Sequence, residues 1–267
     1  VVDAGNGMAG HTASAVFSRM NVDVTEMYYE LDGTFPNHEA NPIDEANLTD
    51  LKEMVKRKSA DIGLAFDGDA DRCLAVDHEG NVVDGDFIMA ILAASWKAEG
   101  RLKKDTVVGT VMSNLGFMKA MEALGINVPT TAVGDRYVLE KMLAEDYVLG
   151  GEQSGHVIMR DFANTGDGVL TALQLMQAVV SSGKSLKELS GVMKRFPQTL
   201  INVKDVKKEK LSTSEKISNE IATHEQALGT SGRILVRPSG TEALVRVMVE
   251  AESTAQAEKI AHEIASL

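Results

Sequence analysis

A chain of 267 residues, 44% hydrophobic and 25% charged with 23 Gly and only 5 Pro, can bury a large core and is not a disordered, collagenous or low-complexity protein. Lys plus Arg number 27 against 39 Asp plus Glu, a formal net charge of -12, and no basic run gathers strongly, which argues against nucleic acid as a partner. The single cysteine, Cys73, argues against disulfides and structural zinc, and with no run of 18 apolar residues and no leader-like segment the expectation is a cytoplasmic protein with no membrane partner.

The opening Val1, Val2, Asp3, Ala4, Gly5, Asn6, Gly7 reads as a strand end running into a glycine turn, the way the interior of a longer protein begins. Residues 22–27 predict a strand. Asn47 then caps a helix with Leu48, Leu51, Met54 and Val55 on one face, and residues 62–66 form a short buried strand ending at a carboxylate cluster. Open α/β sheets place ligands at such strand ends, so residues 1–84 are expected to be one α/β domain. Residues 85–196 repeat the pattern, with helices over 87–96, 115–124 and 169–180 and strands over 106–111 and 128–133. Residues 197–267 differ. A strand over 200–203, a charged loop over 204–210, a helix over 217–228, strands over 232–236 and 244–250, and a last helix capped by Ser253 give the order β-α-β-β-α. The expected fold class is therefore α/β: two consecutive mixed-sheet α/β domains, then a small α+β domain with an antiparallel sheet.

Asp67, Gly68, Asp69, Ala70, Asp71, Arg72 carry the sharpest chemical signal. In an extended segment residues i, i+2 and i+4 point to one side, so the three carboxylates converge and call for a cation. Hard oxygen ligands match Mg²⁺, with a substrate phosphate able to complete an octahedron; the alternatives are a solvated acidic turn or a calcium loop, though the longer spacing of an EF-hand loop is absent. Arg72 balances this charge, touches a phosphate, or forms a salt bridge at the edge of the core. Between Gly151 and Gly155, Glu152 and Ser154, followed by His156, offer donors and acceptors suited to a polyhydroxyl substrate, although a capped turn with a surface histidine accounts for them equally.

Arg237, Ser239, Gly240 and Thr241, with Arg246 beyond them, combine hydroxyls, backbone N–H groups and two guanidiniums into a phosphate cradle or, more plainly, a hairpin turn. Neither GxxxxGK[ST] nor GxGxxG occurs. Asp135 and Arg136 follow Gly134 directly before a helix, where Arg136 reaches a ligand phosphate or serves as an ordinary helix-start charge. His38 is a substrate-loop residue or an ordinary loop histidine.

Together these segments resemble the α-D-phosphohexomutase superfamily. DGDADR at 67–72 is similar to its magnesium loop, GEQSGH at 151–156 to its sugar-binding loop and RPSGTE at 237–242 to its phosphate-binding loop. VGDRYVLEKM at 133–142 and RPSGTEALVRVMVE at 237–250 most resemble the bacterial branch that acts on glucosamine phosphates, whereas DGTFPNHEANP at 32–42 is more like the loop of the mannose- and glucose-phosphate enzymes. The resemblance covers nearly the whole chain and corresponds to domains two, three and four of a four-domain family. The missing N-terminal domain carries the family's phosphoserine, which is also similar to a fourth metal ligand beside Asp67, Asp69 and Asp71.

For the full enzyme the resemblance implies a Mg²⁺-dependent isomerase, an intramolecular phosphotransferase on the route to peptidoglycan precursors. It interconverts glucosamine 6-phosphate and glucosamine 1-phosphate through phosphoserine and a bisphosphate. Asp135, Arg136, Glu152, Ser154 and His156 then face the phosphorylated sugar, Arg237, Ser239, Gly240, Thr241 and Arg246 hold the phosphate not being transferred, and Arg72 supports catalysis. Two alternatives stand beside it: a phosphomannomutase/phosphoglucomutase acting on a phosphorylated hexose, and a noncatalytic sugar-phosphate-binding fragment. Without the serine domain, these residues alone are expected to be inactive.

Overall fold

Among the described residues of the computed structural model, 1–204, 206, 211, 214–239 and 244–267, three sheets organise the chain. The first contains β1 (Val2–Asp3), β2 (Glu26–Met27), β3 (Ile62–Phe66), β4 (Cys73–Asp77) and β5 (Val82–Val83) in the order β2-β1-β3-β4-β5. It is mixed: β1 runs parallel to β2 and β3, while β4 is antiparallel to β3 and β5. Helix α1 (Ala9–Phe17) lays Ala9, Ala13 and Phe17 into the core, and α2 (Thr49–Lys58) buries Leu51 and Val55. The strand expected over 22–27 is confined to Glu26–Met27, because Val22 and Asp23 lie in solvent with nothing to pair against. Asn47 is not the helix cap; Asp44 caps a preceding 3₁₀ turn, Glu45–Leu48, and the Asn47 amide instead donates to the Asn41 carbonyl at 2.9 Å.

The second sheet, order β7-β6-β8-β9, is also mixed. Along the chain come α3 (Gly85–Ala98), β6 (Val107–Thr110), α4 (Leu115–Ala123), β7 (Thr130–Thr131), α5 (Asp135–Glu145), β8 (Leu149–Gly151), β9 (Val157–Met159), α6 (Gly168–Ser182) and α7 (Leu186–Ser190). Strand β6 is parallel to β7 and β8, and β9 returns antiparallel to β8. One apolar core runs beneath both sheets: Val2, Phe66 and Cys73 belong to the same packed cluster as Met89, Trp96, Phe117, Leu149 and Leu175. Each large side chain so buried contributes roughly 1.5–3 kcal/mol. Residues 1–113 and 117–194 accordingly form one compact unit, and 114–116 with 195–267 form a second.

The second unit carries a three-stranded antiparallel sheet, β10 (Gln198–Lys204), β12 (Leu244–Glu250) and β11 (Arg233–Pro238) in that order, with α8 (Glu215–Leu228) and α9 (Thr254–Ala265). Strand alternation decides its faces. Ile201, Val203, Ile234, Val236, Val247 and Val249 pack with Ile260, Ala261 and Ile264 of α9, while Arg233, Arg237, Arg246 and Glu250 take the opposite face. Ser253 caps α9, accepting from the Gln256 N–H at 3.3 Å. The charged stretch expected as a loop over 204–210 lies mostly outside the described residues. The fold class is thus the one expected: two mixed α/β sheets, then a smaller antiparallel sheet with helices. Among the described residues no helix is long and apolar enough to cross a membrane.

Candidate functional site

The carboxylate cluster is built on a turn, not on the extended segment the spacing suggested. Strand β3 ends at Phe66, the Ala70 N–H closes back on the Asp67 carbonyl at 3.1 Å, and Ala70 adopts φ 64°, in the left-handed region. This tight reversal, rather than strand alternation, brings one oxygen each of Asp67, Asp69 and Asp71 within 4.8 Å of one another. Asp67 is buried, Asp71 half-buried and Asp69 exposed. Burial, then the charges of Asp71 and Asp69, push the Asp67 carboxyl up to about 6, against the opposing hydrogen bond from the Arg72 N–H at 3.0 Å. Two nitrogen-bearing side chains close in on the cluster. Arg72 Nε lies 3.5 Å from Asp67 Oδ2 and 3.7 Å from Asp71 Oδ1, and His156 Nε2 lies 3.3 Å from Asp71 Oδ2.

Beside it stands the glycine-flanked loop that follows β8. Residues 152–155 form a turn closed by the Gly155 N–H on the Glu152 carbonyl at 3.1 Å, and the Gly155 carbonyl accepts from the N–H of Cys73, the first residue of β4. Gly155 has φ +89°, and a Cβ there would fall 2.5 Å from the Cys73 carbonyl oxygen, so glycine is required twice over. Ser154 Oγ and His156 Nδ1 are buried without a hydrogen-bond partner among the described residues. Buried polar atoms left this way are uncommon and mark where a ligand or water completes the site.

Glu152 has a role the sequence did not disclose: its Oε1 accepts from the Gly134 N–H at 2.9 Å, tying the turn before α5 to the sugar-loop candidate. Asp135 then opens α5 and is exposed. Arg136 is 81% exposed and pairs with Glu140 of its own helix at 2.8 Å. His38 holds its loop against the first sheet, with Nε2 3.0 Å from Asp3 Oδ2, and this bond raises it from 6.5 to about 8.

In the second unit, Arg237 of β11 stands opposite Arg246 of β12 across the ladder. Burial, followed by the Arg246 charge, lowers the Arg237 guanidinium below its ordinary value. Ser239 is buried, and its N–H donates to the Leu244 carbonyl at 2.9 Å. Gly240 and Thr241 lie outside the described residues. Further along the same ladder Arg233 faces Glu250, with Nη2 2.9 Å from Oε2; Glu250 also accepts from Asn114 Nδ2 and the Leu115 N–H, each at 3.0 Å. The sequence alone did not single out this half-buried pair, although the antiparallel register sets Arg233 directly opposite Glu250.

Comparison with known proteins accounts for the whole sequence. The model of phosphoglucomutase/phosphomannomutase α/β/α domain II matches residues 1–80, that of α/β/α domain III residues 84–196, and that of the C-terminal domain residues 200–267. The chain belongs to this family. A phosphoglucosamine mutase of Paenarthrobacter aurescens is 52% identical over 267 residues, covering 100% of this chain and 58% of its own length. One from Cutibacterium acnes is 51% identical over 265 residues, again over 58% of its length. The chain thus spans less than two thirds of the curated relatives it matches. Among solved structures, a phosphoglucomutase/phosphomannomutase family protein from Burkholderia thailandensis superposes with a TM-score of 0.84 at 26% identity, over 99% of this chain and 60% of that one. The N-acetylphosphoglucosamine mutase of Aspergillus fumigatus, solved with GlcNAc-6P and magnesium, shares the fold with a TM-score of 0.77 at 20% identity.

Proposed function

We propose that the whole protein to which these residues belong is a phosphoglucosamine mutase, an isomerase that interconverts glucosamine 6-phosphate and glucosamine 1-phosphate through a bisphosphate. The observation that carries this reading is identity of about half the residues, along the full chain, with curated phosphoglucosamine mutases. The packing of the three-carboxylate turn against a glycine turn with unpartnered Ser154 and His156 atoms supports it. Residues 1–84, 85–196 and 197–267 then serve as the second, third and C-terminal domains of the enzyme.

Asp67, Asp69 and Asp71 fit Mg²⁺: they are three hard oxygen donors on one turn, and the burial that disfavours Asp67's charge is relieved by a cation. When bound, the ion neutralises charge on the phosphoryl group in transit. Arg72 and His156 keep Asp67 and Asp71 oriented toward that position. Ser154 and Glu152 bind sugar hydroxyls, with Glu152 held by the Gly134 N–H, and Asp135 and Arg136 at the start of α5 face the same substrate. Arg237 and Arg246, with Ser239, Gly240 and Thr241, anchor the phosphate that is not reacting, and the bisphosphate exchanges its two ends between reacting and anchored positions. A phosphoserine from the first domain of the family supplies and recovers the phosphoryl group. The enzyme works in the cytoplasm, feeding peptidoglycan precursors.

The loop over 32–42 favours a second reading, a phosphomannomutase/phosphoglucomutase, since it is the segment most like those enzymes and His38 fixes it at the end of β1. The test is kcat/KM of the whole protein for glucosamine, mannose and glucose 6-phosphates under one Mg²⁺ and activating-bisphosphate condition. The primary reading expects glucosamine phosphate to be preferred, because a site that pairs with an amine leaves a buried polar group unmatched when the amine is missing. Preference for mannose or glucose phosphate would select the second. The 267 residues alone are expected to bind sugar phosphate without turning it over.

A further inference from the structure

We infer that Asp84 and Gly85, at the start of α3, are positioning residues that seat the 152–155 turn beside the metal loop. The inference deepens the mutase reading and rests on it. Asp84 is buried and works in two directions: Oδ1 caps α3 by accepting from the Phe87 N–H at 3.2 Å, and Oδ2 accepts from Gln153 Nε2 at 3.3 Å. The Gly85 N–H donates to the Gln153 carbonyl at 3.0 Å. A Cβ on Gly85 would fall 2.1 Å from the Glu152 carbonyl oxygen and 2.7 Å from the Gly155 nitrogen, the two atoms whose hydrogen bond closes the turn. Gly85 does not have a positive φ, so closeness alone demands glycine there.

The opposite side of the turn is held by β4. There the Cys73 N–H donates to the Gly155 carbonyl, and Cys73 follows the metal loop without an intervening residue. The turn that carries Glu152 and Ser154 is therefore clamped between the start of α3 and the strand leaving Asp67, Asp69 and Asp71. Neither Asp84 nor Gly85 belongs to the carboxylate cluster or to the groups assigned to the sugar, yet together they set the spacing between the two. Backbone meets backbone here, so a displaced turn has no flexible side chain to absorb the shift.

The test uses the whole protein carrying Gly85→Ala. A shift of about an ångström in a substrate-positioning loop should raise KM for the sugar phosphate about 10-fold or more. Affinity for Mg²⁺ alone, measured by calorimetry, should stay within about twofold, a split that general unfolding would not produce. An unchanged KM overturns the inference, as does an equal loss of Mg²⁺ affinity. Should Gly85→Ala fail to fold, Gln153→Ala leaves the helix cap and every glycine in place and must still raise KM without moving Mg²⁺ affinity; no change overturns the inference. A wild-type protein that turns over no hexose phosphate sinks the mutase reading instead. The seat is then read by amide hydrogen exchange at 152–155, which Gln153→Ala must accelerate and which, if unaltered, contradicts it.

Discussion

Asp67, Asp69 and Asp71 crowd three carboxylates into a turn with one left-handed residue, whereas Arg237 and Arg246 oppose two guanidiniums across an antiparallel ladder. The first arrangement is partly offset within the protein by Arg72, whose Nε lies 3.5 Å from Asp67 Oδ2 and 3.7 Å from Asp71 Oδ1. In the second the fold supplies its own control: on the same face of the same ladder, Arg233 meets Glu250 as an oppositely charged pair. Like charges set directly opposite destabilise a sheet, and opposite charges support it. One pair in the hairpin is therefore structural. The other brings two guanidiniums together on one face of the ladder, the arrangement that the proposed phosphate anchor uses.

The largest effect should come from the structural pair. Glu250→Ala strips a buried carboxylate from Arg233, Asn114 and Leu115, and losing such a charged hydrogen-bond acceptor costs about 1–3 kcal/mol. Denaturant unfolding should show that loss, and a change below about 1 kcal/mol would erase the distinction between the two pairs. Arg237→Ala should do the reverse, leaving stability unchanged or improved by relieving the repulsion from Arg246. In the whole enzyme it should weaken sugar-phosphate binding about 10-fold or more, close to 2 kcal/mol for a lost charged contact. Undiminished binding of both phosphorylated isomers would move the phosphate site elsewhere.

A smaller effect sharpens the comparison from the other side, at a carboxylate that has already found its cation. His38 is raised from 6.5 to about 8, chiefly by its hydrogen bond to Asp3. Stability from a group raised on folding is fully present below the unfolded value and is lost as pH climbs through the folded one. Thermal stability should therefore fall as pH rises from 6.5 through 8, and His38→Gln should flatten that slope. Parallel wild-type and variant profiles would show that the pair contributes nothing.

The carboxylate cluster was legible because acidic residues at fixed spacing beyond a buried strand leave few structural uses, but its geometry was not. Spacing suggested strand alternation, and the fold used the left-handed Ala70, a conformation that no residue preference announces in alanine. Strand β4 lies wholly buried, Cys73 to Asp77, so it lacks the alternation by which strands are found. Helix α1 escaped notice because two of the three residues it buries are alanines. The antiparallel hairpin was readable as two apolar runs, residues 232–236 and 244–250, on either side of a Ser/Gly/Thr segment. Contacts such as Gly85 against Glu152, or Glu152 against Gly134, join segments far apart in the chain, and no local pattern records them.

The central claim, that these acidic residues gather for a divalent cation, is tested most directly by titrating Mg²⁺ into the protein and into Asp69→Asn. Asp69 is exposed, so its replacement should leave the fold intact while removing one of the three negative charges that attract the cation. The account predicts saturable Mg²⁺ binding in the wild type and an affinity lower by about 10–100-fold in the variant, with unchanged thermal unfolding in the absence of metal. Equal Mg²⁺ affinity in the two proteins would contradict it.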